Sequence, residues 1–197
     1  MNTQRFNSVL RYWNSKANYQ FMGFTHLLSI LVDNSHELDY DLKMIEIGSY
    51  MGESTFLFGS CGLFSEIHTI DPHEGEEEFN DMFEYDWDLV KKEFKINIRF
   101  FDNIIHHQDY SYNVVDKFED GEYDFIYIDA NHSYEGCKQD LELYLPKLRD
   151  GGMIGGHDYE KSQWPGVVKA VNEIVGEPDT ICWDTSWIKK VEDITIG

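Results

Sequence analysis

Two short stretches bring together side chains that can hold a proton or a cation. Asp129 and His132 fall in "YIDANHSYEG" (127–136), and His157 with Asp158 in "GGHDY" (155–159). Each stretch ends an apolar run, and polar groups at the end of a buried strand are costly unless they find partners. Three occupations are open. Ser133 can cap a helix beginning at Tyr134, with Asn131 or His132 satisfying backbone groups. Mixed carboxylate and imidazole donors can hold a metal: hard oxygen ligands favour Mg²⁺ or Mn²⁺, and imidazole admits Zn²⁺ or Fe²⁺. An imidazole can also take a proton from a substrate near neutral pH.

A second chemical signal is the glycine-rich turn "EIGSYMGEST" (46–55). Backbone freedom alone accounts for its glycines. A dinucleotide site wants G-x-G-x-x-G, whereas the spacing here is Gly48-x-x-x-Gly52, with Glu46 and Glu53 but no basic residue to welcome a pyrophosphate. A P-loop is excluded, because no Gly-Lys-Ser/Thr follows. A ligand with a cationic end and no phosphate suits the turn better, and S-adenosylmethionine is such a ligand. Glu46 would orient its ammonium, directly or through water, and Gly48 and Gly52 would let the backbone approach the methionine part. Asp71, nineteen residues after Gly52, stands where a carboxylate can accept from both ribose hydroxyls.

These residues need strands to position them. Short apolar runs at 43–48, 66–72, 103–108, 123–129 and 151–158 read as five strands. Helical patterns separate them, among them Trp87, Val90, Phe94, Ile98 and Phe101 at three- and four-residue steps. "TICWDTSWIKKV" (180–191) looks like a closing antiparallel pair. Alternating strands and helices imply a mostly parallel sheet covered on both faces, an α/β three-layer sandwich of the Rossmann-like kind. Such sheets bind ligands outside the carboxyl ends of their strands. Glu46, Asp71, Gln108-Asp109, Asp129 and His157-Asp158 all fall at such ends. No linker or repeat is visible, so residues 1–197 read as a single domain, with N-terminal helices over 1–40 and the core over 41–197.

Composition removes several classes. A net charge of −21 repels phosphate backbones and anionic membranes, leaving a small neutral or cationic ligand as the expected partner. No run is long enough to span a membrane and the N-terminus lacks an apolar signal core, which predicts a cytoplasmic protein. Cys61, Cys137 and Cys182 are widely spaced and odd in number, arguing against disulfides or a zinc knuckle and for three small buried hydrophobes. The acidic stretch 73–88 does not match an EF-hand and reads as a solvated loop and helix start. His106 and His107 read as structural strand residues, and Trp164, Trp183 and Trp187 as core or as an acceptor platform near the mouth.

"EIGSYMGES", "TIDP", "DFIYIDANHSYEG" and "LRDGGMIGGHDY" together resemble the class I S-adenosylmethionine-dependent methyltransferases. The closest flavour is the catechol/caffeoyl-type and related small-molecule or sugar O-methyltransferases, and the likeness covers about residues 40–175. The resemblance implies a seven-stranded sheet with an antiparallel last strand, and methyl transfer to an acceptor hydroxyl, often with a divalent cation. It places Glu46, Gly48, Ser49, Tyr50, Gly52 and Ser54 on the cofactor loop, Asp71 on the ribose and Gln108 with Asp109 at the adenine. Asp129 would face both cofactor and cation. Where metal-dependent members carry an Asp-Asn pair after the fifth strand, this chain has His157-Asp158. Where catechol-type enzymes carry a lysine that helps deprotonate the acceptor, it has His132.

Two other readings compete. A metal-dependent oxygenase or hydrolase could be built on Asp129, His132, His157 and Asp158, but the glycine turn and Asp71 would then have no task. A non-catalytic module would bind the cofactor without turnover. Homo-oligomers are compatible with either.

Overall fold

The computed structural model describes residues 19–35, 41–74 and 86–192. Expectations for the first 18 residues, and for most of the acidic stretch 73–88, lie outside these. The described chain opens with α1 (Tyr19–Ser35), within the stretch expected to hold N-terminal helices. Then follow β1 (Leu42–Ile47), α2 (Glu53–Cys61), β2 (Phe64–Ile70), α3 (Trp87–Ile98) and β3 (Ile104–His107). A short helix α4 (Ser111–Val114), absent from the sequence expectations, precedes β4 (Tyr123–Ile128). The rest comprises α5 (Tyr134–Tyr144), β5 (Leu148–Gly156), α6 (Pro165–Ile174), β6 (Thr180–Ile181) and β7 (Trp187–Lys190).

The seven strands form one sheet in the order β3-β2-β1-β4-β5-β7-β6. The first five are parallel, and β7 runs antiparallel to both β5 and β6. This is the class I methyltransferase arrangement of the Rossmann-like fold. β5 begins at Leu148, three residues before the expected start, and stops at Gly156, so His157 and Asp158 lie beyond it.

Both faces of the sheet are covered, which is why β1 and β4 read as nearly continuous apolar runs. On one face Leu27, Leu28 and Leu31 of α1 and Phe58 of α2 pack on Met44, Phe125 and Tyr127. On the other, Leu141 and Tyr144 of α5 and Ala170 and Val171 of α6 pack on Ile45, Ile126 and Ile154. The three cysteines are buried and free, as expected of small apolar residues.

Caps fix the helices that matter to the carboxyl edge. Asp86 accepts from Leu89 N–H at 3.0 Å and starts α3. Ser133 accepts from Gly136 N–H at 3.0 Å and starts α5, the plain task its position suggested. α1 lies against the β6–β7 turn at Gly23, where a Cβ would come within 2.0 Å of Asp184 Oδ1. No described helix is long and apolar enough to cross a membrane.

Candidate active site

Register aligns the carboxyl ends of the parallel strands. The last paired residues are Ile47, Ile70, His107, Ile128 and Gly156. The next residue of each chain segment is therefore Gly48, Asp71, Gln108, Asp129 and His157, five of the positions singled out above. Glu46 stands one row below this rim, paired in register with Thr69 and Tyr127.

Glu46 is fully buried and binds three hydroxyls. Its Oε1 accepts from Ser54 at 2.5 Å, and its Oε2 from Thr55 at 2.5 Å and Thr69 at 2.7 Å. The carboxyl group thus bolts β1 to β2 and to the first turn of α2. Burial pushes its pKa up to about 7, although the three hydroxyls pull the other way.

The glycine turn is shaped by backbone conformation. Gly48 and Gly52 both have positive φ, 85° and 79°, a region that side chains disfavour. Tyr50 shares it at φ 44°, 44% exposed, with Trp87 edge-on at 6.4 Å. Asp71 holds the turn from the side: its Oδ2 accepts from Ser49 N–H at 2.9 Å and Tyr50 N–H at 2.8 Å. Its Oδ1 takes His73 N–H at 2.7 Å, while His73 Nε2 lies 2.9 Å from Tyr50 O. His73 was not anticipated; a histidine two residues after the acid was its only trace in the sequence. Asp109 Oδ1 accepts from Tyr110 N–H and Asn113 Nδ2, both at 2.8 Å, and Gln108 is exposed. The His107 carbonyl accepts from Asp71 N–H at 3.2 Å and Asp109 N–H at 3.0 Å, joining the two acid segments.

S-adenosylmethionine fits this turn. Among the described residues the buried Ser49 hydroxyl has no hydrogen-bond partner at the turn, and the two glycines leave its backbone bare of side chains.

Across the rim, Asp129, His132 and Asp158 converge, with one donor atom from each within 4.8 Å of the others. His132 Nε2 lies 2.7 Å from Asp158 Oδ2 and 3.8 Å from Asp129 Oδ1. His157 takes the opposite oxygen, its Nδ1 being 3.1 Å from Asp158 Oδ1, and its Nε2 faces Asp184 Oδ2 at 3.9 Å. Together, two carboxylates and His132 form a group that could hold a cation, with His157 on the far oxygen of Asp158. Two carboxylates and one imidazole suit Mg²⁺, Mn²⁺ or a borderline divalent ion.

Electrostatics follow from this packing. Burial disfavours a charged His132, yet the carboxylates of Asp129 and Asp158 outweigh it and push its pKa up to about 9. His157 reaches about 9 in the same way, burial being outweighed by Asp158, Asp129 and Asp184. Burial would raise Asp158, but His132 and His157 hold it well below the usual carboxylate range. Asp158 also has a positive φ of 61°, uncommon for a residue with a side chain.

Of the three tryptophans considered for the mouth, Trp164 alone reaches this cluster. Its indole stacks on His132 with centroids 4.3 Å apart and planes at 29°. Trp187 is core at 1% exposure, and Trp183 is 68% exposed. The loop behind Trp164 is held by Glu160, which accepts from Ser162 N–H and Gln163 N–H at 2.9 Å each. Asp184 was not anticipated; its signal was an Asp-Thr-Ser turn, where it accepts from Ser186 N–H at 3.1 Å.

Comparison with known proteins agrees with this architecture. The methyltransferase domain family model matches residues 45–159. An uncharacterised protein of Acanthamoeba polyphaga mimivirus is 33% identical over 160 residues, 77% of this chain. The aligned region spans 66% of that relative, just under two thirds of its length. Among solved structures, a TDP-rhamnose 3′-O-methyltransferase of calicheamicin biosynthesis shares the fold at 13% identity, with a TM-score of 0.61 over 97% of this chain and 93% of that one. A putative O-methyltransferase from Klebsiella pneumoniae does so at 17% identity, with a TM-score of 0.60 over 85% of this chain and 79% of that one. The chain belongs to the methyltransferase domain family.

Proposed function

We propose that the protein transfers a methyl group from S-adenosylmethionine to a hydroxyl of a small molecule, assisted by a divalent cation. The observation that carries this reading is one shared wall: the Gly48 turn presses on the Asp129 backbone, and Asp129 belongs to the Asp/His cluster. A cofactor held on the turn would present its methyl toward an acceptor held at the cluster. Two structural neighbours are described as O-methyltransferases, which supports an oxygen acceptor.

When bound, the cofactor supplies a methyl carbon already activated by a sulfonium, so the protein has mainly to align the acceptor and remove its proton. Gly48, Ser49, Gly52 and Asp71 would bind the cofactor, with Glu46 holding the turn's base and Gln108 and Asp109 facing the adenine. Asp129, Asp158 and His132 Nε2 would hold a divalent cation, which lowers the pKa of an acceptor hydroxyl. In the metal-free protein His132 carries its own proton below about pH 9, so Nε2 becomes a base only as the pH approaches that value. Trp164 keeps the imidazole plane fixed and narrows the space beside it.

An oxygenase or hydrolase would leave the glycine turn, and a Ser49 hydroxyl without a partner among the described residues, without a task. Titration calorimetry with S-adenosylmethionine and its demethylated product tests the reading. Micromolar binding of either is expected, and binding of neither would overturn it.

A further inference from the structure

We propose that the outer face of α3 is a docking surface for an acidic, amphipathic segment of another protein. Lys91, Lys95 and Arg99 follow one another at four-residue steps, which on a helix makes a single stripe about 12 Å long at ~1.5 Å per residue. With Lys92, Asp88 and Ile96 they line an open groove of about 510 Å³.

This stripe is an anomaly in a chain with 16 basic and 37 acidic residues. Elsewhere Lys43, Lys138, Lys147 and Arg149 each pair with a carboxylate, whereas Lys117, Lys161, Lys169, Lys189 and Lys190 form no such pair among the described residues. Among the described residues, Lys91, Lys92, Lys95 and Arg99 pair with none. What sets the stripe apart is its density: four of the described cations fall within residues 91–99, on a surface suited to an acidic partner.

Apolar side chains beside the stripe decide the class of partner. Leu89 is 45% exposed, Ile96 38% and Phe100 66%, with the Arg99 guanidinium 4.2 Å from the Phe100 centroid. Cations alone would suit a phosphate backbone or polyphosphate. Cations flanked by exposed Leu, Ile and Phe suit a helix with Glu or Asp on one stripe and apolar residues on the next. Nucleic acid would meet the net charge of −21 and gain little from the apolar residues.

The test is fluorescence anisotropy with the full chain and a labelled helical peptide built of Glu and Leu. Binding is expected and should weaken as salt is added. It should fall at least about tenfold in K92E/K95E/R99E, which reverses the charges, and in L89S/I96S/F100S, which removes the apolar flank. All six positions are exposed, so melting temperatures should match the parent protein. Failure of the peptide to bind, or equal binding by both variants, overturns the proposal. So does equally tight binding of leucine-free oligoglutamate or inorganic polyphosphate, which marks a site for polyanions. Sedimentation showing self-association that K92E/K95E/R99E abolishes would assign the face to a second copy and overturn it as well.

Discussion

Gly48 and Asp129 meet backbone to backbone: a Cβ on Gly48 would lie 2.0 Å from the Asp129 carbonyl oxygen. The contact is possible only because residue 48 is glycine at φ 85°. Gly48→Ala must therefore both strain the turn and push β4 away. We expect a loss of about 2 kcal/mol or more in stability, together with loss of S-adenosylmethionine binding. An unchanged melting temperature and an unchanged calorimetric titration would refute the tight contact.

Asp71 gathers three backbone N–H groups, from Ser49, Tyr50 and His73. Removing it leaves those donors without an acceptor and releases the turn. Asp71→Ala should weaken S-adenosylmethionine binding by roughly 10- to 100-fold, as charge-assisted bonds of this number suggest. Calorimetry reads the result. Binding within twofold of the parent would mean that the turn holds itself.

The Asp129–His132–Asp158 cluster stands apart from the turn's hydrogen bonds, so its loss should divide two functions. His132→Ala should keep cofactor affinity while weakening Mn²⁺ binding by at least about tenfold, the usual order for a lost ligand. Paramagnetic resonance of free Mn²⁺ measures this without an acceptor in hand. Equal Mn²⁺ affinity in the variant would remove His132 from the donor set.

Above about pH 4.5, the stability of the metal-free protein should fall as the pH rises. Glu46 titrates near 7 in the fold against an ordinary 4.5, so its contribution is complete below about 4.5 and lost as pH rises through about 7. His132 and His157 titrate near 9 against an ordinary 6.5, so theirs is complete below about 6.5 and lost through about 9. Thermal melts in chelator-treated buffers should show both declines. Glu46→Gln should flatten the lower one and spare the upper. A melting temperature that rises from pH 7 to 9 would contradict the His–carboxylate pairs.

Much of this edge was legible because strand ends announce themselves. Apolar runs that stop at Asp71, Asp129 and His157 locate the rim, and parallel register then aligns residues far apart in the chain. Partners across the fold were not legible. Glu46 looked like a group for a ligand's ammonium, yet its carboxylate is ringed by hydroxyls, and Thr69 joins it only through strand pairing. His132 looked like a ready base near neutral pH, but two carboxylates that meet it in space keep it protonated. Which tryptophan faces the cluster depended on the loop before Pro165, and no local pattern encodes that loop's path.

The tight approach of Gly23 to Asp184 has a reach beyond packing. Asp184 lies between the backbone of α1 and the ring of His157, and His157 in turn holds Asp158. The first described helix is thus separated from the Asp129–His132–Asp158 cluster by one carboxylate and one imidazole, although more than a hundred residues divide them along the chain. A side chain introduced at Gly23 would displace Asp184 and, through His157, act as a distant lever on the cluster proposed to serve the acceptor.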